Sequence, residues 1–136
     1  MRPVLLDTNA YTAFMLGVRE VVEVVAHAER MYLNSIVLGE LLAGFAAGTR
    51  EPKNRAELAR FLDSPRVEVL PVSAQTADSY ALVYAGLRRK GQPIPTNDLW
   101  IAASALEHGA ALLTRDAHFL QIDGLRCGQR LEHFLP

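Results

Sequence analysis

Residues Pro95 to Phe119 read P-T-N-D-L-W-I-A-A-S-A-L-E-H-G-A-A-L-L-T-R-D-A-H-F. They predict one helix, one tight break and one short buried strand, with an aspartate at each end. Thr96 or Asn97 can cap the helix start, its side-chain oxygen accepting an otherwise unpaired backbone N–H. Gly109 ends the helix, because glycine takes the left-handed conformation there without steric cost. Ile101, Ala102 and Ala105 follow Asp98 at helical spacing and share its face. That face is apolar, so Asp98 is expected to look inward. Ala110 to Thr114 then reads as a buried strand, which delivers Arg115 and Asp116 to its carboxyl end.

Working outward, the same arrangement opens the chain. Val4-Leu5-Leu6 is short and apolar enough for a central parallel strand, and Asp7-Thr8-Asn9 follows at once. Asp7 and Asp116 are thus expected to leave adjacent parallel strands on one edge, the edge where open α/β sheets bind ligands. For Asp7 taken alone, a helix cap is the favoured reading. Val18 to Glu29 carries valines at helical spacing, Met31 to Leu33 reads as a strand, and Ser35 or Asn34 opens a helix through about Ala47. That last helix places Glu40 on a face shared with Ile36, Val37, Ala43, Gly44 and Ala47, an unusual position for an unpaired glutamate. Gly39 and Gly44 fit a close backbone approach. Thr49 to Arg55 reads as a polar connection, Ala56 to Leu62 as a short helix and Val67 to Leu70 as a strand. A long helix follows from Ser73 to Lys90, stopped by Gly91. Strand-like Leu125 to Cys127 and the segment Leu131 to Leu135 are expected to close the sheet and one helix surface.

Composition narrows the function. At 136 residues the chain is expected to be one domain, and a 50% hydrophobic, 21% charged composition excludes disorder. No apolar run is long enough to span a membrane. A single cysteine, Cys127, allows no internal disulfide, which fits a reducing cytoplasm. A net charge of -1 offers no global basic field for nucleic acid, so phosphate affinity must come from local cations or bound metal.

Asp7, Glu40, Asp98 and Asp116 therefore form the candidate centre. Converging carboxylates repel, and hard divalent cations relieve that repulsion. Mg²⁺ or Mn²⁺ takes oxygen ligands and needs only a few carboxylates beside substrate phosphate. His27, His108, His118 and His133 are scattered, so no histidine or cysteine set argues for zinc. Oxygen-only sites of this kind suit metal-assisted phosphodiester hydrolysis.

Leu-Leu-Asp7-Thr8-Asn9, the helix with Glu40, Asn97-Asp98 opening an Ile-Ala-Ala helix, and Thr114-Arg115-Asp116-Ala-His118-Phe119 together resemble PIN-domain proteins. The closest resemblance is to the VapC-type ribonuclease toxins of toxin–antitoxin modules, and it extends over the whole chain. It implies a 5′→3′-nuclease-like α/β fold, a central mostly parallel sheet flanked by helices, and a Mg²⁺- or Mn²⁺-dependent endoribonuclease acting on structured transfer or ribosomal RNA. It also implies a homodimer held inactive by a cognate antitoxin. Carried over by position, Asp7, Glu40, Asp98 and Asp116 are the acidic metal-binding and catalytic cluster. Asn9, Thr114 and Asn97 orient carboxylates or waters. Arg115 touches substrate phosphate or forms a structural salt bridge, and His118 and Phe119 are packing and turn residues. The alternative is a catalytically inactive acidic module of the same fold that receives a basic partner peptide.

Overall fold

A computed structural model describes all 136 residues. Five short strands, β1 (Val4–Leu6), β2 (Met31–Asn34), β3 (Val67–Leu70), β4 (Ala111–Leu113) and β5 (Cys127–Gly128), form one sheet in the order β3-β2-β1-β4-β5. Every neighbouring pair is parallel. The apolar purity of β1 and β4 follows from their central place, since all six of their residues are 0–1% exposed. Val4, Leu5 and Leu6 pair with Ala111, Leu112 and Leu113, which sets the ends of the two strands level.

Six helices supply the crossovers: α1 (Thr8–Met15), α2 (Arg19–His27), α3 (Ser35–Ala47), α4 (Glu51–Leu62), α5 (Ala74–Lys90) and α6 (Thr96–Glu107). From β1 the chain steps outward through β2 to β3, then returns through α5 and α6 to place β4 on the other side of β1. The strand order reverses between β1 and β4, and in parallel sheets the crevice beyond such a reversal is where ligands bind. Asp7 stands at that point, its backbone N–H donating to Leu113 O at 3.2 Å. No helix is long and apolar enough to cross a membrane.

Some local expectations need correction. The segment 49–55 is not a connection, because α4 already begins at Glu51 with Pro52 in its first turn. Proline there sacrifices no helical hydrogen bond, and Glu51 suits the positive end of the helix dipole and reaches Arg55 at 3.4 Å. Neither Thr96 nor Asn97 caps α6. The cap position is Pro95, which offers no side-chain acceptor, and Asn97 is engaged elsewhere. Gly109 does take the left-handed conformation expected of it, with φ 61°. Added Cβ atoms at Gly39 or Gly44 would meet nothing within 4 Å, so no close approach requires either glycine. The last strand lies slightly later than expected, at Cys127–Gly128, and Phe134 beyond it is 2% exposed in the core.

Candidate active site

Each carboxylate reaches the crevice by a different local device. Asp7 ends β1 and caps α1, its Oδ1 accepting from Ala10 N at 2.8 Å. The cap reading and the strand-end reading are both true of this residue. It is 5% exposed. Burial pushes its carboxyl above the ordinary 3.8, the Thr114 hydroxyl and the Ala10 N–H pull it back, and the charges of Asp98 and Asp116 push it up again.

Asp98 lies in the first turn of α6, above Ile101, Ala102 and Ala105, which are all buried. Its carboxyl is also raised, chiefly by burial, with His118 opposing and Glu40 and Asp116 adding to the rise. Asp116 caps the 3-10 turn Ala117–Gln121 that follows β4. Its backbone N–H donates to Thr114 Oγ1 at 3.0 Å, so one threonine serves both strand-end aspartates.

Glu40 stands at the rim. Along α3 its apolar neighbour Val37 is buried, but Ala43, Gly44 and Ala47 on the same stripe are exposed. The small residues thus leave the crevice open beside Glu40 instead of covering it. Its carboxylate is held from two sides: Oε1 accepts from Thr8 Oγ1, and Oε2 accepts from Asn97 Nδ2 at 3.2 Å.

The residues read as supporting divide accordingly. Thr114 and Asn97 touch carboxylates of the centre. Asn9 does not: it is exposed on the first turn of α1, and Thr8, one residue earlier, does the holding. Arg115 is exposed and forms no ion pair, which removes the salt-bridge reading. It lines an open groove of about 270 Å³ together with Asp116, Leu120 and Gln129.

His118 is more than a packing residue. Its Nε2 lies 2.7 Å from Asp98 Oδ2 and its Nδ1 3.0 Å from Asp116 Oδ1. Asp98, Asp116 and His118 each bring one ligand atom within 4.8 Å of the other two, close enough to hold a common metal ion. The sequence signal was the presence of an imidazole two residues after a strand-end acid.

A second buried element supports the centre from below. Asn34, 0% exposed, ends β2 and caps α3 by accepting from Val37 N at 2.9 Å. Its Nδ2 donates to Ser104 Oγ at 3.0 Å and to Trp100 O at 3.4 Å, both on α6. One amide therefore joins the helix that carries Glu40 to the helix that carries Asp98.

The PIN domain sequence family matches residues 4–125. The chain belongs to the PIN-domain family. The chain is 30% identical over 119 residues to Ribonuclease VapC5 of Mycobacterium tuberculosis, covering 88% of this chain and 87% of that protein. The tRNA(fMet)-specific endonuclease VapC of Salmonella typhimurium is 33% identical over 101 residues, 74% of this chain and 75% of that protein. These relatives place this PIN domain among the VapC-type ribonucleases. Its fold matches the crystal structure of VapBC2 from Rickettsia felis, bound to a DNA fragment from their promoter, with a TM-score of 0.81. That match covers 93% of this chain and 97% of the other, at 28% identity. The parallel five-stranded sheet and flanking helices agree with the fold that the sequence motifs imply.

Proposed function

We propose that this PIN domain is a divalent-cation-dependent endoribonuclease, the toxin of a toxin–antitoxin pair, that hydrolyses phosphodiester bonds of structured RNA. The single observation that carries the reading is the convergence of Asp98, Asp116 and His118 at one point, with Asp7 close enough to be raised by Asp98 and Asp116, and Glu40 close enough to raise Asp98. A buried carboxylate pair without a cation is unfavourable, and the raised Asp7 and Asp98 carboxyls express that cost.

The donor set fits a hard divalent ion such as Mg²⁺ or Mn²⁺, held by Asp7, Asp98 and Asp116 with Glu40 at the rim. When bound, such an ion acidifies a water and offsets negative charge at a scissile phosphate. The chain's own residues do the rest. Thr114 orients Asp7 and Asp116, while Thr8 and Asn97 fix the two oxygens of Glu40 toward the crevice. The unpaired Arg115 guanidinium at the mouth supplies a fork of donors matched to a substrate phosphate. The exposed stripe Ala43, Gly44 and Ala47 leaves room for an RNA backbone to reach the carboxylates.

The relatives support the partners. One acts on tRNA(fMet) by its name, and the Rickettsia felis protein is found in a VapBC2 assembly. A cognate antitoxin that covers the acidic crevice, a homodimeric state and a cytoplasmic setting complete the proposal.

The test is cleavage of total cellular RNA by purified, partner-free protein, with Mg²⁺ or Mn²⁺ compared against chelator. Discrete metal-dependent fragments are expected, absent from Asp7→Asn and Asp98→Asn. A folded protein that yields no fragments under either metal would point instead to an inactive acidic module that binds a basic peptide.

A further inference from the structure

His118 has carboxylates on both ring nitrogens, Asp98 on Nε2 and Asp116 on Nδ1. The imidazole therefore occupies the space between two acids that a shared cation has to enter. It has little freedom to withdraw. Its backbone N–H is tied to Asp116 Oδ1 at 3.3 Å, and the adjoining Phe119 is 1% exposed, anchoring the turn in the core with the two rings 4.9 Å apart. A cation drawn to Asp98 and Asp116 meets a ring nitrogen as its nearest third donor.

We propose that His118 is a direct nitrogen ligand of the cation and that it tilts the site toward Mn²⁺ over Mg²⁺. The inference rests on the acidic centre being a cation site, as read above. Mg²⁺ prefers an all-oxygen octahedron and gives up its waters reluctantly, whereas Mn²⁺, also served by oxygen ligands, accepts an imidazole nitrogen in place of one more readily than Mg²⁺ does. The other three histidines are occupied away from the centre. His27 contacts Glu23 O, His108 lies beside Glu107, and His133 Nδ1 accepts from Gln129 N.

The test takes the full chain stripped of metal and partner, with Mn²⁺ alone as the probe. Electron spin-echo spectroscopy on protein carrying isotope-labelled histidine reads Mn²⁺–nitrogen coupling with no RNA present. Coupling to one imidazole is expected, lost in His118→Gln and kept in His27→Gln. Titration calorimetry should show Mn²⁺ affinity falling by at least about tenfold in His118→Gln, with Mg²⁺ affinity changing less than about twofold. Mn²⁺ bound without nitrogen coupling in the unmutated chain overturns the assignment, whether or not RNA is cut. Coupling in a chain that cuts no RNA upholds the ligand and sinks the nuclease reading. An equal loss for both ions in His118→Gln overturns the selectivity, and failure to bind Mn²⁺ at all overturns both readings.

Discussion

Asp98 Oδ2 and His118 Nε2 lie 2.7 Å apart, although 20 residues separate them in the chain. The contact joins the first turn of α6 to the turn after β4, and Asp116 is drawn into the same cluster through the other ring nitrogen. The centre is thus organised by a base that the acids surround, which sets what each substitution should do.

Asp98→Asn should leave the fold intact and lower RNA cleavage by at least about 100-fold, since it removes charge from the point where three donors meet. In the same variant, added Mn²⁺ should no longer raise the melting temperature. The unmutated chain should gain about 2.7 kcal/mol at a metal concentration 100 times its Kd. Equal metal stabilisation in both proteins would contradict the role given to Asp98.

A pH dependence follows from Asp7. Its carboxyl is raised by burial above the ordinary 3.8, so the folded chain holds that proton more tightly than the unfolded chain does. The contribution to stability is therefore fully present below the unfolded value and is lost as pH rises through the folded one. Asp7→Asn keeps an acceptor for Ala10 N, since asparagine caps as well as aspartate. In chelator, melting temperature against pH should show the Asn variant overtaking the unmutated chain as pH climbs above the ordinary carboxylate value. An unmutated chain that gains on the Asn variant over that interval would refute the sign.

Thr8 and Asn97 hold the two oxygens of Glu40, one each. Thr8→Val and Asn97→Ala should each reduce cleavage by roughly tenfold with little change in global stability, the size expected when an orienting partner is lost. The double variant should fall no lower than Glu40→Gln. If it does fall lower, one of the two acts on something other than Glu40.

Asn34→Ala removes the α3 cap and strands the Ser104 hydroxyl in a dry interior. The loss should be roughly 2–4 kcal/mol, combining about 1 for the cap with 1–3 for the unsatisfied groups. A denaturation cycle with Ser104→Ala should show coupling, with the double variant less damaged than the two singles predict. Strict additivity would mean the two side chains do not act as a unit.

Tyr11 is 3% exposed and its hydroxyl has no hydrogen-bond partner. Burial and nearby Glu57 push that group up to about 12. Tyr11→Phe keeps the ring, which meets Phe61 edge-on at 5.3 Å, and removes only the stranded oxygen. The variant should be more stable by about 1 kcal/mol in urea denaturation. A destabilised variant would mean the hydroxyl has a partner in solution.

Much of this was legible in the sequence because it depends on local spacing. Asp7, Asp98 and Asp116 each follow a strand or open a helix within a few residues, so their common edge can be read from short apolar runs. Glu40 was legible as an anomaly on its helix, but not as a rim residue, because exposure of Ala43 and Gly44 depends on where other helices stop. Asn34 could be seen as a helix opener, whereas its bonds to Ser104 and Trp100 join segments about 70 residues apart. His118 was missed for a similar reason. The aim of its ring is set by the tilt of a short 3-10 turn and by the buried Phe119, neither of which has a period to read. The polar composition of Thr49 to Arg55 suggested a connection, whereas Pro52 in fact sits in the first turn of α4.

The reversal of strand order between β1 and β4 also determines when the centre can exist. Asp7 is synthesised well before its neighbours Asp98, Asp116 and His118, which follow it by roughly a hundred residues. β4 can pair beside β1 only after α5 and α6 have been made. Until then the growing chain carries separate acids and no assembled centre. The order of the strands therefore makes the acidic centre one of the later features of the fold to form.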